Sequence, residues 1–401
     1  MFFGRRKIAV LIIKEETFGG LEDQTAWRVM GLLLSRGKGK NVDIFEVDGS
    51  KPLIIGDLPS FGKYDVYAVI KGIAFITREG ISRLSEIISK NKRFSAIAPV
   101  SNESRKAGQR LAPPFLYQTL TVFGWASEEN YMLKGNDVTH VDEIDDFCIV
   151  FRKEFLADIP SGLKISELPH MLNENGMRCG VAHGIYAHRY ADCYESGRDD
   201  LISHVPADAR DVLDIGCSRG LFGEVLKKRQ KCVVTGVDCD SRLISAARER
   251  LDRVIYGDVE KVIDASSLGL FDCIVCGDVL EHLNDPWKVV RGLRAHLRKG
   301  GLFIASTPNV NNWAIIYDML QGRWDYVPFS ILSGTHIRFF TKQTLSELFE
   351  GAGYQVRDIF LQDIGGPPER QKIIEKIRKN VPDVSAEELS ASEIVIVSAA
   401  C

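Results

Sequence analysis

No stretch of this 401-residue chain approaches the roughly 18 consecutive apolar residues that a membrane-spanning helix needs. Neither sign of charge dominates: 51 Lys and Arg face 54 Asp and Glu, a net of -3, so a strongly basic nucleic-acid binder is not expected. Proline is scarce, 14 residues, and with 35 glycines the chain is far from collagen-like or low-complexity composition. The nine cysteines are odd in number and irregularly spaced, which argues against a disulfide framework. Cys273 and Cys276 form a C-x-x-C inside the apolar run Phe271 to Cys276. Three apart on a strand, they point to opposite faces and read as buried filler. The start, Met1 to Lys7, is charged like a signal n-region, but the apolar core Ile8 to Ile13 is too short and Lys14 ends it. These absences leave a cytoplasmic globular protein of two or three domains, at roughly 150 residues each.

What is present alternates. In residues 1–160, strands are expected at Ile8–Ile13, Val42–Val47, Tyr64–Ile70, Phe94–Val100 and Phe147–Phe151, with helices over 24–35 and 78–89 and a loop over 101–114. Strands separated by helices imply a mostly parallel, covered sheet, an α/β domain ending near Pro160. Residues 161–200 read as a connecting helical segment, where Tyr186, Tyr190 and Tyr194 recur every four residues along one stripe. Residues 201–401 carry strands at Asp211–Ile215, Cys232–Val237, Arg253–Tyr256, Phe271–Cys276 and Leu302–Ser306, an irregular insert over 307–340, a helix over 342–352, and late strands Tyr354–Leu361 and Glu393–Ser398. Such a chain builds a doubly wound sheet with its ligands at the carboxyl ends of the strands.

Asp214, Asp238, Asp258 and Asp278 each fall at or just past a strand end, the last three 20 residues apart. The loop Val212-Leu-Asp-Ile-Gly-Cys-Ser-Arg-Gly-Leu-Phe222 turns tightly on Gly216 and Gly220. A dinucleotide fingerprint would place glycine at 218, where Ser218 stands, and would not put an acid before its first glycine. An acid there suits an ammonium or sulfonium cation, Asp238 suits two ribose hydroxyls, and Gly257-Asp258 suits an exocyclic amine. Cation, ribose and adenine together describe S-adenosylmethionine.

With Val279-Leu-Glu-His-Leu283, Ser306-Thr-Pro-Asn309 and Thr335-His-Ile-Arg-Phe-Phe-Thr341, residues 186–400 resemble a class I S-adenosylmethionine-dependent methyltransferase. The resemblance covers about half the chain. It implies a Rossmann-like seven-stranded sheet and a cofactor set of Asp214, Gly216, Cys217, Gly220, Asp238, Gly257, Asp258 and Gly277. It also implies O-methylation of a small-molecule or glycan acceptor, as in surface-polysaccharide pathways. For removal of the acceptor proton, His282 is the first candidate base and His336 the second, with Asp278 and Glu281 orienting. Asp278, Glu281 and His282 are too compressed for a sharp metal signature, and no metal is assigned.

The insert carries Trp313, Tyr317, Trp324, Tyr326 and Phe329, which could form an aromatic lid over a ring-shaped acceptor or a small core of their own. The first half more distantly resembles a family-two nucleotide-sugar glycosyltransferase with a GT-A sheet, through Tyr64–Ile70, Ala96–Asn102 and Asp146–Arg152. Where those enzymes carry Asp-x-Asp, this chain continues Lys71-Gly-Ile-Ala-Phe75, so metal-assisted departure of a nucleotide lacks its ligands and a degenerate positioning module is expected. A bifunctional enzyme and a non-catalytic interaction protein are the alternatives. A nicotinamide dehydrogenase is poorly supported.

Overall fold

The computed structural model describes residues 7–14, 20–35, 42–48, 63–71, 74–102, 104, 106–111, 118–158, 160, 163, 167–174, 176–189, 197–264, 268–328 and 330–400. The charged start (residues 1–6), Tyr190, Tyr194 and Phe329 lie outside them, as does the end of the expected 101–114 loop. The chain divides into two compact units, Met1–Ala191 with Asp325–Phe329, and Asp192–Trp324 with Ser330–Cys401.

The first unit is built on strands β1 (Ile8–Lys14), β2 (Val42–Asp48), β3 (Val66–Lys71), β4 (Ala74–Phe75), β5 (Ala96–Val100), β6 (Val138–Val141), β7 (Cys148–Arg152), β8 (Cys179–Tyr186) and β9 (His188–Arg189). Helices α1 (Gly20–Ser35), α2 (Arg78–Lys90), α3 (Leu120–Lys134) and α4 (Leu168–Glu174) are interspersed among them. Seven strands form one sheet in the order β2-β1-β3-β7-β5-β8-β6, while β4 and β9 pair separately. Strand β7 runs antiparallel between β3 and β5. Strands β1, β3 and β5 are buried along almost their whole length, as near-continuous apolar runs should be when both faces are covered.

The sequence placed the close of this unit near Pro160, but the structure carries it to Ala191. The reason is β8, which pairs parallel with β5 and antiparallel with β6. Tyr186 therefore ends a strand rather than starting a helical stripe. Strand β8 escapes recognition because Gly180 and Gly184 interrupt it. Gly184 is required by close approach, since a Cβ there would lie 1.9 Å from the Gly135 carbonyl oxygen.

The second unit holds β10 (Asp211–Ile215), β11 (Val233–Asp238), β12 (Arg253–Tyr256), β13 (Phe271–Gly277), β14 (Leu297–Pro308), β15 (Tyr354–Gln362) and β16 (Glu393–Ala400). Its helices are α5 (Asp199–Ile202), α6 (Leu221–Arg229), α7 (Ile244–Arg250), α8 (Val259–Val262), α9 (Pro286–Leu293), α10 (Trp313–Leu320), α11 (Lys342–Gly351), α12 (Glu369–Asn380) and α13 (Ala386–Ser390). The sheet order is β12-β11-β10-β13-β14-β16-β15. Only β16 is reversed, antiparallel to both β14 and β15.

Period-two alternation divides the second core by sheet face. Leu213, Ile215, Ile274 and Cys276 join one apolar cluster, whereas Val212, Cys273 and Val275 join another. The two cysteines thus sit on opposite faces, buried and free. Local chemistry fixes the helix starts. Asp285 accepts the Lys288 N–H with Pro286 following it, and Thr341 and Thr344 form a reciprocal cap. The insert is less irregular than its sequence suggests: Asn312 caps α10 by accepting the Ala314 N–H. Trp313 is fully buried on that helix, so it is core and not lid.

Candidate active site

Four parallel strands, β12, β11, β10 and β13, lie side by side, so their carboxyl ends bring Asp258, Asp238, Asp214 and Asp278 to one edge. At the first loop, Gly216 adopts φ 72°, and a Cβ there would lie 2.4 Å from Val279 Cγ2. Gly220 adopts φ 80° and precedes α6. Between them Ser218 occupies φ 49°, a left-handed backbone that glycine adopts more readily than serine. Its N–H donates to Asp238 Oδ2 at 2.8 Å, which holds the loop in that shape. Cys217 is buried beside Gly236 and packs the loop from below.

The four acids differ in how well they are satisfied. Asp238 accepts backbone N–H groups from Ser218 and Asp240, both at 2.8 Å, which leaves lone pairs on each oxygen. Asp258 caps α8 through the Glu260 N–H at 3.0 Å. Asp214 is only 5% exposed and its Oδ2 has no hydrogen-bond partner among the described residues. Burial first, and the charge of Asp238 second, push its carboxyl up to about 8. A buried acceptor without a donor costs about 1–3 kcal/mol, so this place demands a cationic or donating guest. Asp238 is raised as well, mainly by burial. The donor set therefore fits the cation and sugar of S-adenosylmethionine.

Asp278 has a different use. It sits at φ 53° after β13, and Arg198 Nη1 donates to its Oδ2 at 2.5 Å. Ser306 Oγ donates to its Oδ1 at 2.9 Å. The same guanidinium bonds Asp200, Ser306 and Glu393. Asp278 is thus committed to Arg198, a group that sequence reasoning missed because the partners lie 80 and 195 residues away from it.

The Leu280–His282 segment is a single 3-10 turn. Glu281 is 1% exposed, and neither of its carboxylate oxygens reaches a hydrogen-bond partner among the described residues. Burial, then the charge of Asp278, holds its carboxyl well above the usual range. His336 Nε2 lies 3.9 Å from Glu281 Oε1, while its Nδ1 donates to the Ile331 carbonyl at 2.9 Å. That bond leaves Nε2 bare in the neutral ring, and burial with the neighbouring His282 lowers this histidine to about 4. His282 is exposed, donates from Nδ1 to the Thr335 carbonyl at 3.2 Å, and meets the His336 ring edge-on at 4.7 Å between centroids. Sequence-distant His282 and His336 are therefore brought together. Among the described residues, Glu281, His282 and His336 place ligand atoms within 4.8 Å of one another. Two imidazoles and a carboxylate suit a divalent cation as well as proton transfer, and this trio differs from the compressed one that the sequence suggested. Of the aromatic insert, Trp324 is 38% exposed and stands edge-on to Phe339 at 5.5 Å.

The second unit thus combines a seven-stranded sheet with one reversed strand, β16, and acids at the carboxyl ends of four parallel strands. Residues 186–359 match the family model described as a methyltransferase domain. A ubiquinone biosynthesis O-methyltransferase of Coxiella burnetii is 31% identical over 156 residues, 37% of this chain and 65% of the relative. One of Xanthomonas axonopodis pv. citri is 32% identical over 161 residues, 38% of this chain and 66% of the relative. The chain thus spans just under two thirds of the length of these relatives. Among solved structures, an S-adenosylmethionine-dependent methyltransferase of Archaeoglobus fulgidus matches at TM-score 0.35 and 19% identity, covering 48% of this chain and 87% of its own. N-methyltransferase NodS of Bradyrhizobium japonicum, in complex with S-adenosyl-L-homocysteine, matches at TM-score 0.34 and 18% identity, covering 52% and 88%.

Proposed function

We propose that the protein transfers the methyl group of S-adenosylmethionine to a hydroxyl of a small acceptor. The orphaned Asp214 carboxylate carries the cofactor part of this reading: a buried, unpartnered acid beneath a left-handed loop is a receptor for a cation. Asp214 with Gly216, Cys217 and Gly220 would hold the methionine part, Asp238 the ribose, and Gly257 with Asp258 the adenine end. Gly277 closes the strand from which the acceptor turn starts. The bound cofactor supplies an electrophilic methyl group. The chain's own part is to align the acceptor and take its proton. His282 is the proposed base, since it is exposed, its Nδ1 is fixed by the Thr335 carbonyl, and its ring meets that of His336. Buried His336 and Glu281 would orient it. Oxygen as the methylated atom is favoured by the relatives' names, which are O-methyltransferases.

A sugar or glycan precursor remains the proposed acceptor from the sequence reading. The glycosyltransferase-like half is proposed as a positioning module. At the carboxyl end of β3, where metal-binding acids would be needed, Lys71 instead pairs with Asp146 at 2.8 Å. Labelled methyl transfer to glycan and to small-molecule acceptor pools separates the two acceptor classes, with Asp214→Ala as control. Transfer to neither pool, or full transfer by the variant, contradicts the reading.

A further inference from the structure

We propose that Arg198 is a positioning residue for methyl transfer: acting through Asp278, it locks the turn that carries Glu281 and His282. The proposal rests on the methyltransferase reading of this site. Arg198 precedes α5 with φ 51°, and Asp278 follows β13 with φ 53°. Two residues with side chains in the left-handed region each cost on the order of 1–3 kcal/mol and persist only where the surroundings over-determine them. The bond between them does that. Nη1 reaches Asp278 Oδ2 at 2.5 Å, Nε reaches Asp200 Oδ1 at 3.0 Å, and Nη2 reaches Ser306 Oγ at 3.1 Å and the Glu393 carboxylate. One planar fork thus ties the ends of β13, β14 and β16 to the segment that enters the unit, a task for which a lysine has neither the donors nor the geometry.

Charge gives the second reason. Asp200, Asp278 and Glu393 crowd around this guanidinium. Burial works against its charge, and the hydrogen bond to Asp200 with the charges of Asp278 and Glu393 more than offsets it. Burial and Asp278 also push the Glu393 carboxyl up to about 8. Without the guanidinium these acids face one another uncompensated, and the turn is the element free to move. Its consequences run straight to the proposed base. The Glu281 carbonyl accepts the N–H groups of Ile337 and Arg338 at 2.9 and 3.0 Å, and the ring of His282 meets that of His336. Releasing Asp278 therefore releases both histidines from their shared register, while Asp214, Asp238 and Asp258 stand on other strands.

The test uses the full chain and nitrogen-15 imidazole spectra, which need no acceptor, with ring signals assigned through His282→Gln and His336→Gln. Arg198→Met is expected to shift or broaden the signals of both histidines, Arg198→Lys to do so partly, and Arg198→Met with Asp278→Asn to add nothing to Arg198→Met alone. Affinity for S-adenosylhomocysteine should stay within about threefold of the wild type. Imidazole signals that superimpose on the wild type, or effects of the two substitutions that add, overturn the proposal. So does loss of the cooperative thermal transition in both Arg198→Met and Arg198→Lys, which would make the residue scaffold for the whole unit. Failure of the wild type itself to bind S-adenosylhomocysteine would strike at the cofactor reading instead, and is read separately.

Discussion

The two sheets treat the polar groups at their carboxyl ends in opposite ways. At that edge of the first sheet, Lys71 pairs with Asp146 at 2.8 Å, and Arg189 approaches Asp145 at 3.7 Å. Asp145 also receives the Ser104 hydroxyl, and its own N–H is taken by Gln109. At the same edge of the second sheet, Asp214 and Glu281 are buried with oxygens that no donor among the described residues reaches. Charges satisfied internally hold a scaffold, whereas charges buried without partners are a standing cost that a ligand relieves. The comparison locates chemistry in the second unit.

The largest expected effects come from the orphaned acid. Asp214→Ala should lower affinity for S-adenosylhomocysteine by 100-fold or more in calorimetry. Asp214→Asn should do the same yet stabilise the unliganded protein at pH 9, by roughly 1–3 kcal/mol, because an unpartnered buried charge is removed. The sign follows from the raised carboxyl, which is near 8 when folded against an ordinary value of 3.8. The folded state then holds the extra proton between those values, so this residue's contribution to stability falls as pH rises from about 4 to 8. The variant should flatten that slope in chemical denaturation at a series of pH values. A slope as steep as that of the wild type breaks the contrast between the sheets.

Next comes His282→Gln, expected to cost methyl transfer about 100-fold or more, the usual contribution of a positioned base, with cofactor affinity unchanged. His336→Gln should cost less, since that ring is buried and neutral. Equal losses would show that the two act as a unit. Gly216→Ala should destabilise the second unit by about 1–3 kcal/mol in thermal unfolding, through its φ of 72° and the 2.4 Å approach to Val279. The smallest effect is predicted for the first sheet. Lys71→Met should change stability by about 1 kcal/mol or less and leave cofactor binding untouched, because a partly exposed pair is worth little. Loss of binding in that variant would move part of the chemistry into the first unit.

The same contrast explains what the sequence made legible. Strand β10 coincides with its expected limits, and the acids at the ends of β10 to β13 stand where the spacing put them, because each is local to one strand and turn. Arg198 could not be found, since its meaning lies in Asp278 and Glu393, far along the chain. The partner of Asp278 was illegible for the same reason. Strand β8 was missed because its glycines answer to the packing of Gly135 and Phe94, which no local pattern encodes. Helix α10 carried a legible signal, Asn312 before an apolar run, but its aromatic residues left a lid and a small core both open, and the burial of Trp313 puts that ring in the core.

The most direct measurement is a calorimetric titration of the whole protein with S-adenosylhomocysteine, in buffers of differing ionisation enthalpy at pH 7. A cation seated on Asp214 must drive off the proton that burial holds there. The account predicts micromolar binding accompanied by proton release, with both lost in Asp214→Asn. Binding without proton release, or binding that survives in the variant, would contradict it.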